Sequence, residues 1–350
     1  MITDPRVFDD QHLPRRLPHR NGELQSLARA LDHTQPGTTR DVLIAGPSGV
    51  GKTALARHYL RRANEHERLE WTHVPCLGET TGSILRQTLR GLTDQRVPSN
   101  AITLEVREKL QALDGEYVVV LDEADDLPQT EVLDEFASMP SISLVVVCHD
   151  RERWLAQLPP GSASRFAAVI EPDRYGVGEL ADILESRAKQ GLEPNAITEQ
   201  QLRELADGSA GVARRGIQAL RAAAELAANR GHAKIQPADV EDSFDRARAW
   251  IRASNLESLP YHHHVLYEIV RLSGSEGVRG RELHERYDAV AEDVYEGVAV
   301  TPIGRRWRRE QLSKLRAYDL IDWEDESGGR SYWAVDPALG SDTVEIKSVV

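Results

Sequence analysis

The segment Gly46-Pro-Ser-Gly-Val-Gly-Lys-Thr53 holds the residues best suited to chemistry. In the pattern G-x-x-x-x-G-K-T, glycines let backbone N–H groups curl around phosphates, Lys52 adds an ammonium charge and Thr53 a hydroxyl. The apolar run Val42-Leu-Ile-Ala45 precedes it and the helix-forming stretch Ala54-Leu-Ala-Arg-His-Tyr-Leu60 follows, so a pyrophosphate would meet a helix N-terminus. This strand–loop–helix context makes the segment a P-loop. Gly46, Gly49, Gly51, Lys52 and Thr53 are therefore candidate ligands of ATP, with the Thr53 hydroxyl directed at Mg²⁺.

A second cluster lies downstream, where Tyr117-Val-Val-Val-Leu121 ends in Asp122-Glu123. Such a run reads as a buried parallel strand with two carboxylates at its C-terminal end. Asp122 would hold Mg²⁺ through water, and Glu123 would polarise the attacking water as a general base. Ser143-Leu-Val-Val-Val-Cys148 predicts a further strand ending in His149-Asp150. His149 has two open roles: sensing a γ-phosphate, or sitting half-exposed at a strand end and satisfied by solvent. Arg165, in Ser164-Arg165-Phe166 after the Pro159-Pro160-Gly161 loop, also has two. It would either reach a neighbouring subunit's γ-phosphate as an arginine finger or pair with an acid in its own chain.

The elements that must position these groups follow from composition and periodicity. A length of 350 residues suits two or three domains. No run of eighteen or so apolar residues occurs and no leader is visible, so the expectation is a cytoplasmic, nucleoid-associated protein without membrane contact. Cys76 and Cys148 are isolated and lack metal spacing. The net charge of −13 argues against nucleic acid until the basic residues are sorted: of 43, only 6 are Lys. An acidic, Lys-poor surface resembles that of halophilic archaea, in whose cytosol screening lengths fall to about 3 Å and local clusters outweigh the total; the other reading is an ordinary acidic cytosolic protein.

Glu23–Leu31 carries apolar residues at helical spacing, and Pro36-Gly37 predicts a turn into the first strand. Leu69–Leu77 reads as a strand, Ser83–Leu92 as a helix, and Pro98-Ser-Asn-Ala as the opening of another helix through Leu110. From Pro172 onward apolar strands cease, and helices over Val177–Gln190, Thr198–Ala206, Gly211–Asn229 and Pro237–Trp250 predict a lid, with Arg214-Arg215 opening its third helix. The last segment contains Tyr261–Val270, Gly280–Tyr287, Thr301–Tyr318 and a hairpin, Leu320–Trp323 with Ser331–Val335, about a Gly328-Gly329 turn. Three helices and a β-wing spell a winged helix-turn-helix. Its third helix carries Arg305, Arg306, Arg308, Arg309, Lys314 and Arg316 against Glu310, so +6 − 1 = +5. That is either the footprint of DNA contact, with Thr301 as a cap, or a solvated helix face. His262-His-His264 has no helical metal spacing and reads as structural.

Together these pieces resemble the archaeal origin-recognition (Orc/Cdc-type) replication initiators, a branch of the AAA+ ATPases. The likeness runs from about Val7 to Trp333. It begins with Pro14 through His19-Arg20 and Glu23-Leu24, and is sharpest in Ser254-Asn-Leu-Glu-Ser-Leu-Pro-Tyr-His-His263, in Thr301-Pro-Ile and in Leu312–Ile321. The resemblance implies a base domain over 1–171, a helical lid over 172–252, a winged-helix domain over 253–337 and a tail over 338–350. It extends the nucleotide site to Val50, Ala54, Tyr175 and Arg187, makes Arg214 the lid arginine near the γ-phosphate, and places the helix over 92–110 where relatives carry a DNA-touching insertion. The sequence departs from the family at the sensor position, usually Asn and here His149, at Ser99-Asn100-Ala101, in a shorter stretch from Asp125 to Ser143, and in an acidic wing tip, Glu324–Arg330.

The implied function is ATP-dependent binding to duplex DNA at a replication origin, with slow hydrolysis as a switch, helicase recruitment and self-association on DNA. Other classes using the same parts are a transcription or plasmid-maintenance regulator, a helicase loader acting through protein contacts, and a transposition accessory ATPase.

Overall fold

The computed structural model describes residues 1–31, 41–67, 69–93, 96–127, 131–159, 161–326 and 329–346. The expected Pro36-Gly37 turn and Gly328 lie outside them. The chain divides into two compact units, Met1–Phe244 and Asp245–Val350.

In the first unit, α1 (Asn21–Ala30) leads into β1 (Asp41–Ala45), α2 (Lys52–Glu67), β2 (Glu70–Pro75), α3 (Thr81–Leu92), α4 (Thr103–Gln111), β3 (Tyr117–Asp122), α5 (Glu131–Ala137), β4 (Ile142–Cys148), α6 (Arg151–Leu155) and β5 (Phe166–Ile170). The five strands form one parallel sheet in the order β2-β3-β4-β1-β5. β1, β3 and β4 are apolar on both faces because each face is covered. Leu43, Val119, Leu121, Leu144 and Val146 meet Ile84, Leu89, Phe136 and Trp154. Val42, Ile44, Val118, Val120 and Val145 meet Leu27, Leu55 and Leu60. This doubly wound arrangement puts the C-terminal ends of β1, β3 and β4 along one sheet edge, where ligands bind in such folds.

One expected boundary moves in the sheet domain, and three elements are added. The helix after Pro98 begins at Thr103, since residues 98–101 close a turn in which the Ala101 amide donates to the Pro98 carbonyl at 3.1 Å. The edge strand β5 and the short helices α5 and α6 lie where the sequence showed no periodicity, being too short to display one.

The lid helices α7 (Val177–Gly191), α8 (Glu199–Gly208) and α9 (Ala213–Asn229) follow. α10 (Pro237–Glu257) runs well past Trp250, and the division at 244/245 falls inside it. The N-terminal lead belongs with the lid: the Thr3 amide donates to the Gly191 carbonyl at 2.8 Å, Ile2 bridges Leu192, and Phe8 is fully buried. Gln218 of α9 donates to the Phe8 carbonyl at 2.9 Å.

The second unit contains α11 (Tyr261–Leu272), β6 (Val278–Arg279), α12 (Gly280–Tyr295), α13 (Arg305–Ala317), β7 (Ile321–Glu326) and β8 (Gly329–Ala334), with an antiparallel sheet in the order β6-β8-β7. This is a winged helix. His264 bonds Ser341 and the Leu259 carbonyl, and His262 bonds Tyr295, so these two histidines serve packing.

Gly91 is where α3 comes closest to β2. An added Cβ would sit 1.8 Å from Thr72 Oγ1 and 2.6 Å from its Cβ. Alanine gains about 1 kcal/mol of helix propensity, but overpacking costs about 1–3 kcal/mol and a clash this short forces the upper end. Gly91→Ala is expected to lower the urea midpoint of the first unit's unfolding, and adding Thr72→Ala to restore it.

Candidate functional site

The P-loop joins β1 to α2 through glycines that no other residue replaces. Gly49 has φ +78° and an added Cβ there would lie 2.6 Å from Val212; Gly51 has φ +94°. Lys52 Nζ donates to the Gly46 and Pro47 carbonyls at 2.7 and 2.9 Å. Burial holds its pKa below the usual lysine value against the pull of Asp122 and Asp125.

One step along α2, Thr53 Oγ1 lies 3.1 and 2.9 Å from the two Asp122 oxygens. β3 ends there, paired in register with β2 so that Pro75 stands beside Asp122. His73, two residues earlier on β2, reaches the same carboxylate, its Nε2 2.9 Å from Oδ2. Burial raises the Asp122 pKa, but hydrogen bonds from His73 and Thr53 outweigh it and hold the carboxyl below its ordinary value. Glu123 follows at φ +54°, a left-handed conformation rare outside glycine and concentrated at functional sites. At the end of β4, His149 Nδ1 pairs with Asp125 Oδ2 at 2.8 Å and its amide donates to the same oxygen. Cys148 beside it is buried, which pushes its thiol up to about 12.

From the lid, the Arg214 guanidinium grips Asp10 of the lead at 2.8 and 2.7 Å. Arg187 is buried and donates to the Val7 carbonyl at 2.7 Å. Tyr175 is buried and accepts a hydrogen bond from Arg20 Nε at 2.9 Å. A cavity of about 370 Å³, sized for a nucleotide, is lined by Gly49, Gly51, Lys52, Thr53, Ala54, Asp122, Glu123, His149, Tyr175, Arg187 and Arg214. Gly46 and Val50 are not on its lining. Val50 is fully buried, and its carbonyl accepts from Arg20.

Arg165 is not on the lining either. It is clamped inside its own chain by the buried Asp41 carboxylate, at 3.0 and 2.8 Å, and by the Leu133 carbonyl at 2.8 Å. Of the two roles weighed for it, pairing with an acid of its own subunit is the arrangement found.

Two site residues escaped the sequence reading. His73 carries no motif, and only the β2–β3 register brings it to Asp122. Arg20 is a junction: besides Tyr175 and Val50 it binds Glu23 and the Asp173 carbonyl, and its guanidinium stacks 4.0 Å over the Tyr175 ring. Its charge in a Pro-rich lead gave no hint of burial.

In the second unit, α13 starts at Arg305 with Gly304 as its N-cap, so Thr301 does not cap it; Pro302 and Gly304 keep the approach outside the helix. Arg308 needs a correction. It is buried, donates to the Ile303 and His284 carbonyls and to Asp288, and stacks 3.8 Å over Tyr287, so it serves the interior and is withdrawn from any DNA face. Arg305, Arg306 and Arg309 are exposed, and Lys314 lies over the Tyr318 ring. Arg316, in the last turn of α13, and Arg330 of the wing both stack on Trp323 and pair with Asp322 and Asp325 respectively.

A parallel sheet, a P-loop closed by a helical lid and a separate winged helix define an AAA+ P-loop protein. The comparisons agree: residues 37–151 match the AAA domain family, and residues 181–245 match the Cdc6 AAA+ ATPase-type lid domain. The chain is 30% identical to ORC1-type DNA replication protein 9 of Halobacterium salinarum, over 98% of its own length and 96% of the relative's. ORC1-type DNA replication protein 1 of the same organism is 29% identical, over 84% and 97%. The chain belongs to the ORC1-type DNA replication protein family. Its fold is similar to that of the Aeropyrum pernix ORC1 protein, solved in complex with DNA, with a TM-score of 0.71 at 22% identity over 95% and 93% of the two chains. It is also similar to that of Aeropyrum pernix ORC2, solved as ADPNP–ADP complexes, with a TM-score of 0.64 at 24% identity over 97% and 95%.

Lys52→Ala removes the only ammonium on the lining described above. It is expected to weaken ATP binding by a hundredfold or more, roughly the worth of a charge-assisted contact in a buried site, while leaving circular dichroism unchanged. Calorimetric titration checks this.

Proposed function

We propose that the chain binds ATP with Mg²⁺ in the cavity at Lys52 and that the bound triphosphate governs attachment of the winged helix to duplex DNA at a replication origin. The observation that carries this reading is the convergence of Lys52, Thr53, Asp122, Glu123, His149 and Arg214 on one cavity. Those side chains come from α2, from the end of β3 and the residue after it, from the residue after β4 and from α9, and phosphoryl chemistry is the demand that needs all of them.

In this reading, the loop amides and Lys52 hold the β- and γ-phosphates. Thr53 Oγ1 and Asp122 are adjacent hard oxygen donors suited to Mg²⁺, which when bound supplies positive charge to those phosphates. Glu123 orients and deprotonates the attacking water, and His149, fixed by Asp125, contacts the γ-phosphate. Tyr175 and Arg187 line the nucleoside side. Hydrolysis serves as a slow switch, and helicase recruitment and self-association on DNA belong to the same proposal. The domain assignment is base 1–171, lid 172–252, winged helix 253–337 and tail 338–350. Arg305, Arg306, Arg309 and Lys314 are the DNA contacts, with Arg308 excluded.

Arg214 is held by Asp10, so reaching a γ-phosphate means leaving that carboxylate. Breaking a half-exposed pair costs up to about 1 kcal/mol, and Asp10→Asn removes that cost, so it is expected to raise the preference for ATP over ADP about two- to fivefold, and Arg214→Ala to abolish the difference. Titration with each nucleotide decides it. For the full reading, footprinting on a selected duplex in molar salt is expected to give ATP-dependent protection; identical protection with and without ATP would refute it.

A further inference from the structure

The DNA-facing helix carries one feature that charge does not explain. Trp307, in the first turn of α13, is 46% exposed although tryptophan, rarely buried completely, is highly buried on average. The helix keeps Arg308, Leu312 and Leu315 inside. Trp307 precedes that stripe by one residue and lies on the row of Gln311 and Lys314, at i+4 and i+7. Its cationic neighbours are loosely held. The Arg306 side chain is 91% exposed and 3.6 Å from Glu310, and Arg305 is 62% exposed and 4.0 Å from Asp288.

An apolar plate set in a helix whose charge is +5 − 1 = +4 once the buried Arg308 is left out selects its partner by two criteria. The partner must be a polyanion, because a neutral or basic surface would leave the arginines without counter-ions. It must also present apolar area between its charges. The major groove of DNA offers one such group, the thymine C5-methyl, and the N-terminal turn of a recognition helix is the part that reaches base edges. Phosphate contacts by arginine position the helix without reading sequence.

We propose that Trp307 is the sequence-reading residue of this chain, its indole packing on a thymine methyl in the major groove while Arg305 and Arg306 hold flanking phosphates. This rests on the reading of the second unit as a duplex-DNA binder.

The test uses the full-length protein with ATP in molar salt. A preferred duplex is first selected from a random pool, and each thymine is then replaced singly by uracil, which removes the methyl and leaves pairing intact. For the wild type, one or two replacements are expected to weaken binding about three- to fivefold, the worth of one buried methyl. Trp307→Ala should flatten that profile while keeping affinity for unrelated duplex, Trp307→Phe should retain part of it, and Arg306→Ala should lower all affinities alike. A Trp307→Ala protein with the wild-type uracil profile, or a wild type blind to every replacement, overturns the proposal while leaving DNA binding standing, whatever protein surface the indole then serves. A wild type that holds no duplex at all defeats the underlying reading and the proposal with it. Since Trp307 is exposed, the variants are expected to fold, which circular dichroism verifies.

Discussion

Everything at the nucleotide end answers to one demand: several backbone amides and one ammonium must point at the same small volume. Left-handed glycines make the curl possible, and the Lys52 ammonium, buried against the Gly46 and Pro47 carbonyls, keeps the loop taut. A buried ammonium is costly, so it persists only with Asp122 and Asp125 near enough to offset the loss of water. Those acids stand there because β3 and β4 flank the first strand's side of the sheet in parallel register. The sheet order, the strand-end acids and the loop are thus one constraint expressed three times.

The same logic explains where other charges are sunk. Asp41 is buried and its pKa is raised by that burial, yet it receives Arg165 and the Leu144 amide, which ties the start of β1 to β4 and to the approach to β5. Arg20 does for the lead, the P-loop and the segment before the lid what Arg165 does for the sheet. In both cases a guanidinium was chosen over an ammonium, since its planar fork satisfies several carbonyls at once. The excess of Arg over Lys in this chain therefore has an internal cause as well as a surface one.

What could be read beforehand was whatever repeats or clusters along the chain. The apolar runs before Gly46 and Asp122, the helical spacing after Pro172, and the hairpin of the wing all stood in the sequence because burial on both faces, or on one, leaves a periodic trace. Illegible were the features created by register between distant strands, such as His73 meeting Asp122, and those created by burial of a charged residue, such as Arg20 and Arg308. Arg308 shows the mechanism of the error: five arginines in one helix look alike in sequence, and only the packing of Tyr287 and Asp288 of α12 reveals that one of them points inward. The helix start misread at Thr301 has a related origin, since Pro302 is as compatible with a first helical turn as with the extended approach that the chain adopts.

Phe8 emerges during synthesis some two hundred residues ahead of the helix that hydrogen-bonds its carbonyl through Gln218. Until α7 and α9 exist, that phenyl ring has nowhere dry to go, and the lead must wait while the sheet forms behind it. Within the first unit the late seam is thus between the opening residues and the lid, and translation itself sets the earliest moment at which the cavity can acquire its full wall.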